Sequence, residues 1–148
     1  MHVLIAHRDA TERAALAKAV TAGDDGDLRI VESDCGEAAL ELLLDDHAPP
    51  HLAVIDWDLP GIDGPEICRL TRDFSTDSPP YLVLLASSRH PDLKAGLDAG
   101  ANDCLRTPAR AGDIRDCVDV GRCFVQTPCE PGQWRRDVQG RVFARYAR

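Results

Sequence analysis

With 148 residues, 44% of them apolar and 28% charged, and a formal net charge of −8, the chain is sized for one domain that buries its own core. No apolar run reaches membrane-spanning length, and Met1 leads straight into a strand-like run without a basic leader. Neither a membrane span nor a signal peptide is therefore expected, and the setting implied is cytoplasmic. The acidic balance disfavours a general nucleic-acid surface.

Val3 to Ala6 is a short apolar run and reads as a first strand. Asp9-Ala10-Thr11-Glu12 has the form of a helix N-cap with an acid three residues later. Ala14, Leu16, Ala17 and Val20 continue that helix, and Gly23 ends it. Leu28 to Val31 is a second, edge-like strand. Glu37 to Asp46 is a second helix, with Leu40, Leu43 and Leu44 on its inner face. Pro49-Pro50 breaks the chain before a central strand, Leu52 to Ile55. A third helix runs from Pro65 to Phe74, and Ser78-Pro79-Pro80 is a loop. Tyr81 to Ala86 is a wholly apolar fourth strand. Asp92 to Ala99 is a fourth helix closed by Gly100. Cys104-Leu105 forms a short fifth strand, followed by Thr107-Pro108. Ile114 to Val125 is a fifth helix, with Ile114, Val118 and Phe124 facing inward.

Strands alternate with helices, and the strands are apolar runs rather than alternating ones. That pattern predicts a parallel sheet covered on both faces, an open doubly wound α/β sandwich. None of the six cysteines (Cys35, Cys68, Cys104, Cys117, Cys123, Cys129) forms a pair with the two-residue gap of a zinc or redox motif. They read as reduced, mostly small core residues. The five histidines are scattered along the chain and are not read as a metal site. His47, His51 and His90 fall in loops and carry no visible constellation.

The stretch HLAVIDWDLPGIDGP, His51 to Pro65, organises the chain. Its apolar run ends on Asp56, which places a carboxylate at the carboxyl tip of a strand, where ligands collect in such sheets. Asp58 lies two residues on, above the turn at Leu59-Pro60-Gly61.

VIDWDLPGIDGPEICR, PYLVLLASS and AGLDAGANDCLRTP, in this order, resemble the receiver domain of two-component response regulators over residues 3 to 126. The resemblance implies a flavodoxin-like (CheY-like) five-stranded parallel sheet of order 2-1-3-4-5, with helices on both faces. It implies that Asp56 takes a phosphoryl group from a histidine kinase. It also implies a cis bond at Thr107–Pro108 and pairing of copies through the fourth and fifth helices, a homodimer. The chain departs from the family pattern elsewhere. The acidic pair that holds Mg²⁺ falls on His7 and Arg8, with Asp9 beyond. The Ser/Thr after the fourth strand falls on Ala86, the reporting aromatic on Cys104, and the Lys before proline on Thr107. Asp56, Asp58 and Pro60 remain recognisable.

Those departures carry chemical consequences. Phosphoryl transfer depends on positioning and charge neutralisation, and Mg²⁺ requires hard oxygen ligands. Arg8 repels a cation, His7 is a poor Mg²⁺ ligand, and Thr107 supplies no ammonium, which leaves Asp56 a weak Mg²⁺ candidate. Ala86 has no hydroxyl and Cys104 no ring, so a two-state switch lacks its differential contacts; a loop register shifted by one would let Ser87 or Ser88 stand in. Arg8 is expected to form a charge-assisted pair with Asp56, the alternative being a side chain in solvent. His7 is either a base or ligand, or a hydrogen-bonded residue at a strand end, the latter preferred.

Three functions are carried forward. The first is an atypical receiver, not an enzyme, that acts by protein–protein contact with a kinase or output protein and has little Mg²⁺-dependent phosphorylation. The second is a working phosphoacceptor at Asp56. The third is a dehalogenase-type phosphatase, suggested by Asp56-Trp57-Asp58, which the residues Leu59-Pro60 fit poorly. Residues 127–148 differ in composition: Pro128, Pro131 and Gly132 form a break, and Gln133 to Arg148 carries Arg135, Arg136, Arg141, Arg145 and Arg148 against Asp137. This basic extension suits either an acidic partner or plain solvation. Trp134, Val138, Val142 and Tyr146 fall four apart, as in an amphipathic helix. GQW…D…GRVF resembles the opening hairpin of a PAS sensor domain, which implies a piece of a longer chain.

Overall fold

Five β-strands, of which β1, β3 and β4 are mainly apolar runs, form one parallel sheet because the helices between them cover both faces. The computed structural model describes residues 1–74 and 78–126. In chain order the elements are β1 (His2–Ala6), α1 (Ala10–Thr21), β2 (Arg29–Ser33), α2 (Gly36–Leu43), β3 (Leu52–Asp56), α3 (Gly64–Phe74), β4 (Tyr81–Ala86), α4 (Leu93–Asp98), β5 (Asp103–Arg106) and α5 (Ala111–Gln126). The sheet order is β2-β1-β3-β4-β5, as the sequence predicts. The break at Pro128 to Gly132, Cys129 and the arginine-bearing stretch Gln133 to Arg148 lie outside the described residues.

Alternation along each strand feeds two cores. Leu4, Ala6, Ala53, Ile55, Leu82, Leu84 and Cys104 face α2, α3 and α4, where they meet Ala39, Leu43, Ile67 and Cys68. Val3, Ile5, Leu52, Val54, Val83, Leu85 and Leu105 face α1 and α5, meeting Leu16, Val20, Ile114, Cys117 and Val118. Phe124 is only partly buried and sits edge-on to Tyr81 at 5.5 Å.

The element boundaries depart from expectation for local reasons. Ladder pairing with β1 from His2↔Arg29 to Ala6↔Ser33 moves β2 later than Leu28 to Val31. The helix expected over Glu37 to Asp46 ends at Leu43: the Leu44 amide donates to the Leu40 carbonyl, and the Asp45 carboxylate accepts the His47 and Ala48 amides, turning the chain. Its buried face carries Ala39 and Leu43, with Leu40 and Leu44 half-buried. The α5 helix begins at Ala111, before Ile114, because the Ile114 amide already reaches the Arg110 carbonyl. The Thr107–Pro108 bond is cis. No helix among the described residues is long and apolar enough to cross a membrane.

Candidate functional site at the carboxyl edge of the sheet

The crevice of an open parallel sheet lies where neighbouring strands send their loops to opposite sides. Here that point falls between β1 and β3, which pair side by side while β1 also pairs with β2. The residues that follow β1 and end β3 therefore meet, and these are His7 and Asp56. Their side chains are mostly buried, 15% and 13% exposed, with His7 Nε2 3.7 Å from Asp56 Oδ2. That separation is longer than a hydrogen bond.

The imidazole is oriented from its other side. His7 Nδ1 accepts the Asp9 amide at 3.0 Å. An acceptor Nδ1 places the ring proton on Nε2, so the edge facing Asp56 is an N–H. Asp9 itself is engaged elsewhere: its carboxylate caps α1, accepting from the Thr11 amide at 2.8 Å and the Glu12 amide at 3.1 Å. Those amide bonds, the Glu12 amide first, hold the Asp9 carboxyl below its ordinary value. Arg13 Nη1 donates to the His7 carbonyl at 2.7 Å and ties the loop back to α1.

Arg8 corrects one expectation. It is exposed, and among the described residues no ion pair joins it to Asp56; the partner facing Asp56 is His7. The reason is the alternation of the strand as it leaves the sheet. His7 turns toward the crevice and Arg8 turns out.

Past Asp56 the chain forms a tight loop. Asp56 Oδ1 accepts the Asp58 amide at 3.3 Å, and the Trp57 amide donates to the Leu85 carbonyl at 3.0 Å. Leu59 is buried beneath the loop, while Pro60 is exposed and its carbonyl accepts the Gly36 amide at 2.9 Å, joining the loop to α2. Gly61 has φ +80° and lies against the Glu37 carboxylate, a position that a side chain could not take.

Asp58 leads to a residue that the sequence left without a role. His90 Nε2 lies 2.8 Å from Asp58 Oδ1, and the His90 ring stacks on Trp57 with centroids 4.7 Å apart and planes 18° from parallel. His90 was expected to carry no constellation, and the structure brings it to the site. No motif signals this contact; it follows from topology, since in a parallel sheet the loops after the neighbouring strands β3 and β4 leave from the same edge. His51 also has a partner, since its Nδ1 accepts the His2 amide at 3.2 Å, but this is at the opposite edge of the sheet.

The remaining positions are apolar or shielded. The register puts Leu85 across from Asp56, with Ala86 one step beyond, and neither carries a hydroxyl. Ser87 Oγ accepts the Arg89 amide at 3.4 Å, and Ser88 is exposed. Cys104 is buried against the Leu93 carbonyl, and burial raises its thiol far above the ordinary value. Burial likewise pushes Cys68 up to about 12. Both cysteines are core residues rather than nucleophiles. Thr107 is half-buried, and its amide donates to the Ala86 carbonyl at 3.0 Å.

A Mg²⁺ ion does not fit this donor set. It would meet the carboxylate of Asp56 but also an N–H of His7, while Asp9 is committed to its helix and Arg8 points away. Among the described residues no group of three or more His, Cys, Asp or Glu side chains is placed to hold a metal ion.

Residues 3–119 match the family described as the response regulator receiver domain. Among curated relatives, the transcriptional regulatory protein AfsQ1 of Streptomyces coelicolor is 39% identical over 82 residues, 55% of this chain and 35% of that protein. The response regulator MprA of Mycolicibacterium vanbaalenii is 42% identical over 73 residues, 49% of this chain and 30% of that protein. The matched stretch thus spans about a third of these relatives' length. Among solved structures, the signal receiver domain of NarL from Mycobacterium tuberculosis superposes with a TM-score of 0.67 at 25% identity, over 82% of this chain and 95% of that one. The receiver domain of AraT from Geobacillus stearothermophilus gives 0.71 at 20% identity, over 84% and 95%, which speaks for the fold alone.

Proposed function

The chain belongs to the response regulator receiver domain family, and from that premise we propose that it is an atypical receiver, signalling by contact with protein partners and with little or no Mg²⁺-dependent phosphorylation of Asp56. In this reading residues 1–126 are the receiver unit and 127–148 an extension. The observation that carries the reading is the His7 imidazole. It stands 3.7 Å from the Asp56 carboxylate with its N–H edge forward, where the family pattern calls for acidic metal ligands. A cation there would have to displace that ring or strip its proton, and no ammonium at Thr107 replaces the missing charge. The partners this reading calls for are a kinase or an output protein, with a second copy of the chain as a further candidate.

A second reading keeps Asp56 as a working phosphoacceptor. Its support is position: the carboxylate ends β3 at the carboxyl edge of the sheet and is not fully buried.

Amide NMR during titration with beryllium fluoride and Mg²⁺, which together mimic a phosphoryl-aspartate, separates the two. The atypical receiver shows no shifts at millimolar ligand while remaining folded. Shifts that start at Asp56 and spread to Ala86 and Cys104 overturn it in favour of the phosphoacceptor. The triple substitution His7→Asp, Arg8→Asp, Thr107→Lys restores the family's acidic pair and Lys, leaving Ala86 and Cys104 as they are, and is expected to gain the shifts at Asp56.

A further inference from the structure

We propose that the overhanging end of α5, together with the acidic loop before β2, is a docking surface for the chain's own segment 127–148. The α5 helix is longer than the sheet it covers. Gly121 sits over Leu52 and Tyr81, the first residues of β3 and β4, and a Cβ there would meet both side chains. The next turn, Arg122 to Gln126, therefore runs past the amino edge of the sheet. Val125 stands four residues after Gly121 and continues its inward-facing stripe. With no strand beneath it, Val125 is 38% exposed, and Phe124, edge-on to Tyr81, is only half-buried. Met1 and Leu28, beside the starts of β1 and β2, are half-buried against the same core. The edge opposite Asp56 thus ends in an apolar rim.

The loop beside this rim is acidic and fixed in place. Arg122 donates to the Asp24 carboxylate, which is 6% exposed and also accepts the Gly26 amide at 3.1 Å and the Leu28 amide at 3.0 Å. That pair holds the loop against the overhang. Asp25 and Asp27 stay exposed, and among the described residues neither carboxylate forms an ion pair. The Met1 amine donates to the Asp27 carbonyl instead. Arg122 Nε is buried with no hydrogen-bond partner, a donor that an arriving carbonyl satisfies.

Segment 127–148 suits this surface by position, pattern and charge. It starts where the overhang ends, and Pro128 and Pro131 keep α5 from simply running on. Trp134, Val138, Val142 and Tyr146 recur every four residues, an apolar stripe that calls for a cover. Five arginines outnumber Glu130 and Asp137 in the segment, within a chain whose net charge is −8, so the segment is basic and the rest of the chain strongly acidic. The apolar contact supplies most of the affinity, since exposed charge pairs add little; the charges set where the segment lands. A short tether keeps it at an effective concentration of about millimolar, which favours this occupant over a second copy. The surface lies on the edge away from Asp56, so the proposal rests on neither reading of that residue.

Tryptophan emission from the full chain carrying Trp57→Phe, which leaves Trp134 as its one indole, tests it. The emission is expected to be that of a covered ring and to move to the red in Val125→Ser. Arg135→Glu with Arg136→Glu should move it to the red as well, and so should Asp25→Lys with Asp27→Lys. The four changes combined exchange the charges and should restore the covered emission. On the chain with Trp57 intact, Asp25→Lys with Asp27→Lys is expected to speed trypsin cleavage after Arg141 about three- to tenfold. The emission of a water-exposed indole in the parent overturns the docking. So do emission and cleavage that ignore the variants at Val125, Asp25 and Asp27. A covered emission that fades on dilution through the micromolar range would place the segment on a second copy and overturn the choice of occupant.

Discussion

Single residues at this site hold two jobs, and the jobs limit one another. Asp9 could have been a metal ligand by position, yet its carboxylate is consumed by the first amides of α1. Its folded carboxyl lies below 3.8, the ordinary value. The sign follows from linkage: a lowered acid stabilises the fold in full above its unfolded pKa, and the contribution is lost as pH falls through the lowered folded value. Asp9→Ala should therefore have a lower urea midpoint than wild type at pH 7, and the gap between the two midpoints should close as pH falls below 3.8 and through the lowered folded value. A gap that persists at acid pH would mean that the capping charge is not what Asp9 contributes. His7 depends on the same residue, because the Asp9 amide directs its proton toward Asp56. The position of Asp56 and the cap at Asp9 were legible from strand-tip and capping patterns. The roles of His7 as a neighbour of Asp56, and of His90, were not, since each depends on a residue distant in the chain.

At the scale of elements, α2 is joined to the site loop by a backbone hydrogen bond. Gly36 donates its amide to the Pro60 carbonyl at 2.9 Å, and a Cβ at Gly36 would overlap the Ile62 carbonyl. Main chain cannot retreat as the end of a side chain can. Gly36→Ala should thus cost about 1–3 kcal/mol, by forcing α2 and the loop apart, and a urea melt measures it. The same variant should disturb the Asp58 and Trp57 amides in an NMR spectrum. The element boundaries were legible to within a few residues, and the errors have a common source. Ladder pairing extended β2 and β5 beyond their apolar runs, and a turn built by the Asp45 carboxylate ended α2 before its leucines did. Apolar pattern reports burial, whereas ladders and caps set the ends.

The whole molecule is a sheet between two cores, and Leu84 shows how tightly one is closed. It is fully buried, and its two methyl groups lie 2.8 Å and 2.9 Å from where Cβ atoms would stand at Gly64 of α3 and Gly96 of α4. Two helices thus close over one side chain. Leu84→Ala should cost about 2–5 kcal/mol. Phe74→Ala, at a residue 66% exposed, should stay within about 0.5 kcal/mol. Denaturant melts of the pair compare the two sites directly, and equal losses would contradict the placement of the core.

By itself the sequence determined the class of sheet, its strand order, the position of Asp56 at a strand tip and the departures from the family pattern at His7, Arg8, Ala86, Cys104 and Thr107. Each of these is written in short-range periodicity or in an ordered motif, and periodicity survives any error of a residue or two. What only the tertiary structure decided is which of two adjacent residues, His7 or Arg8, turns toward Asp56, and that His90 meets Asp58 and Trp57. A one-residue step reverses the direction of a side chain at a strand end, and a contact across 32 residues is set by how neighbouring loops settle over the sheet edge. Both are consequences of packing in three dimensions, and no pattern along the chain encodes them.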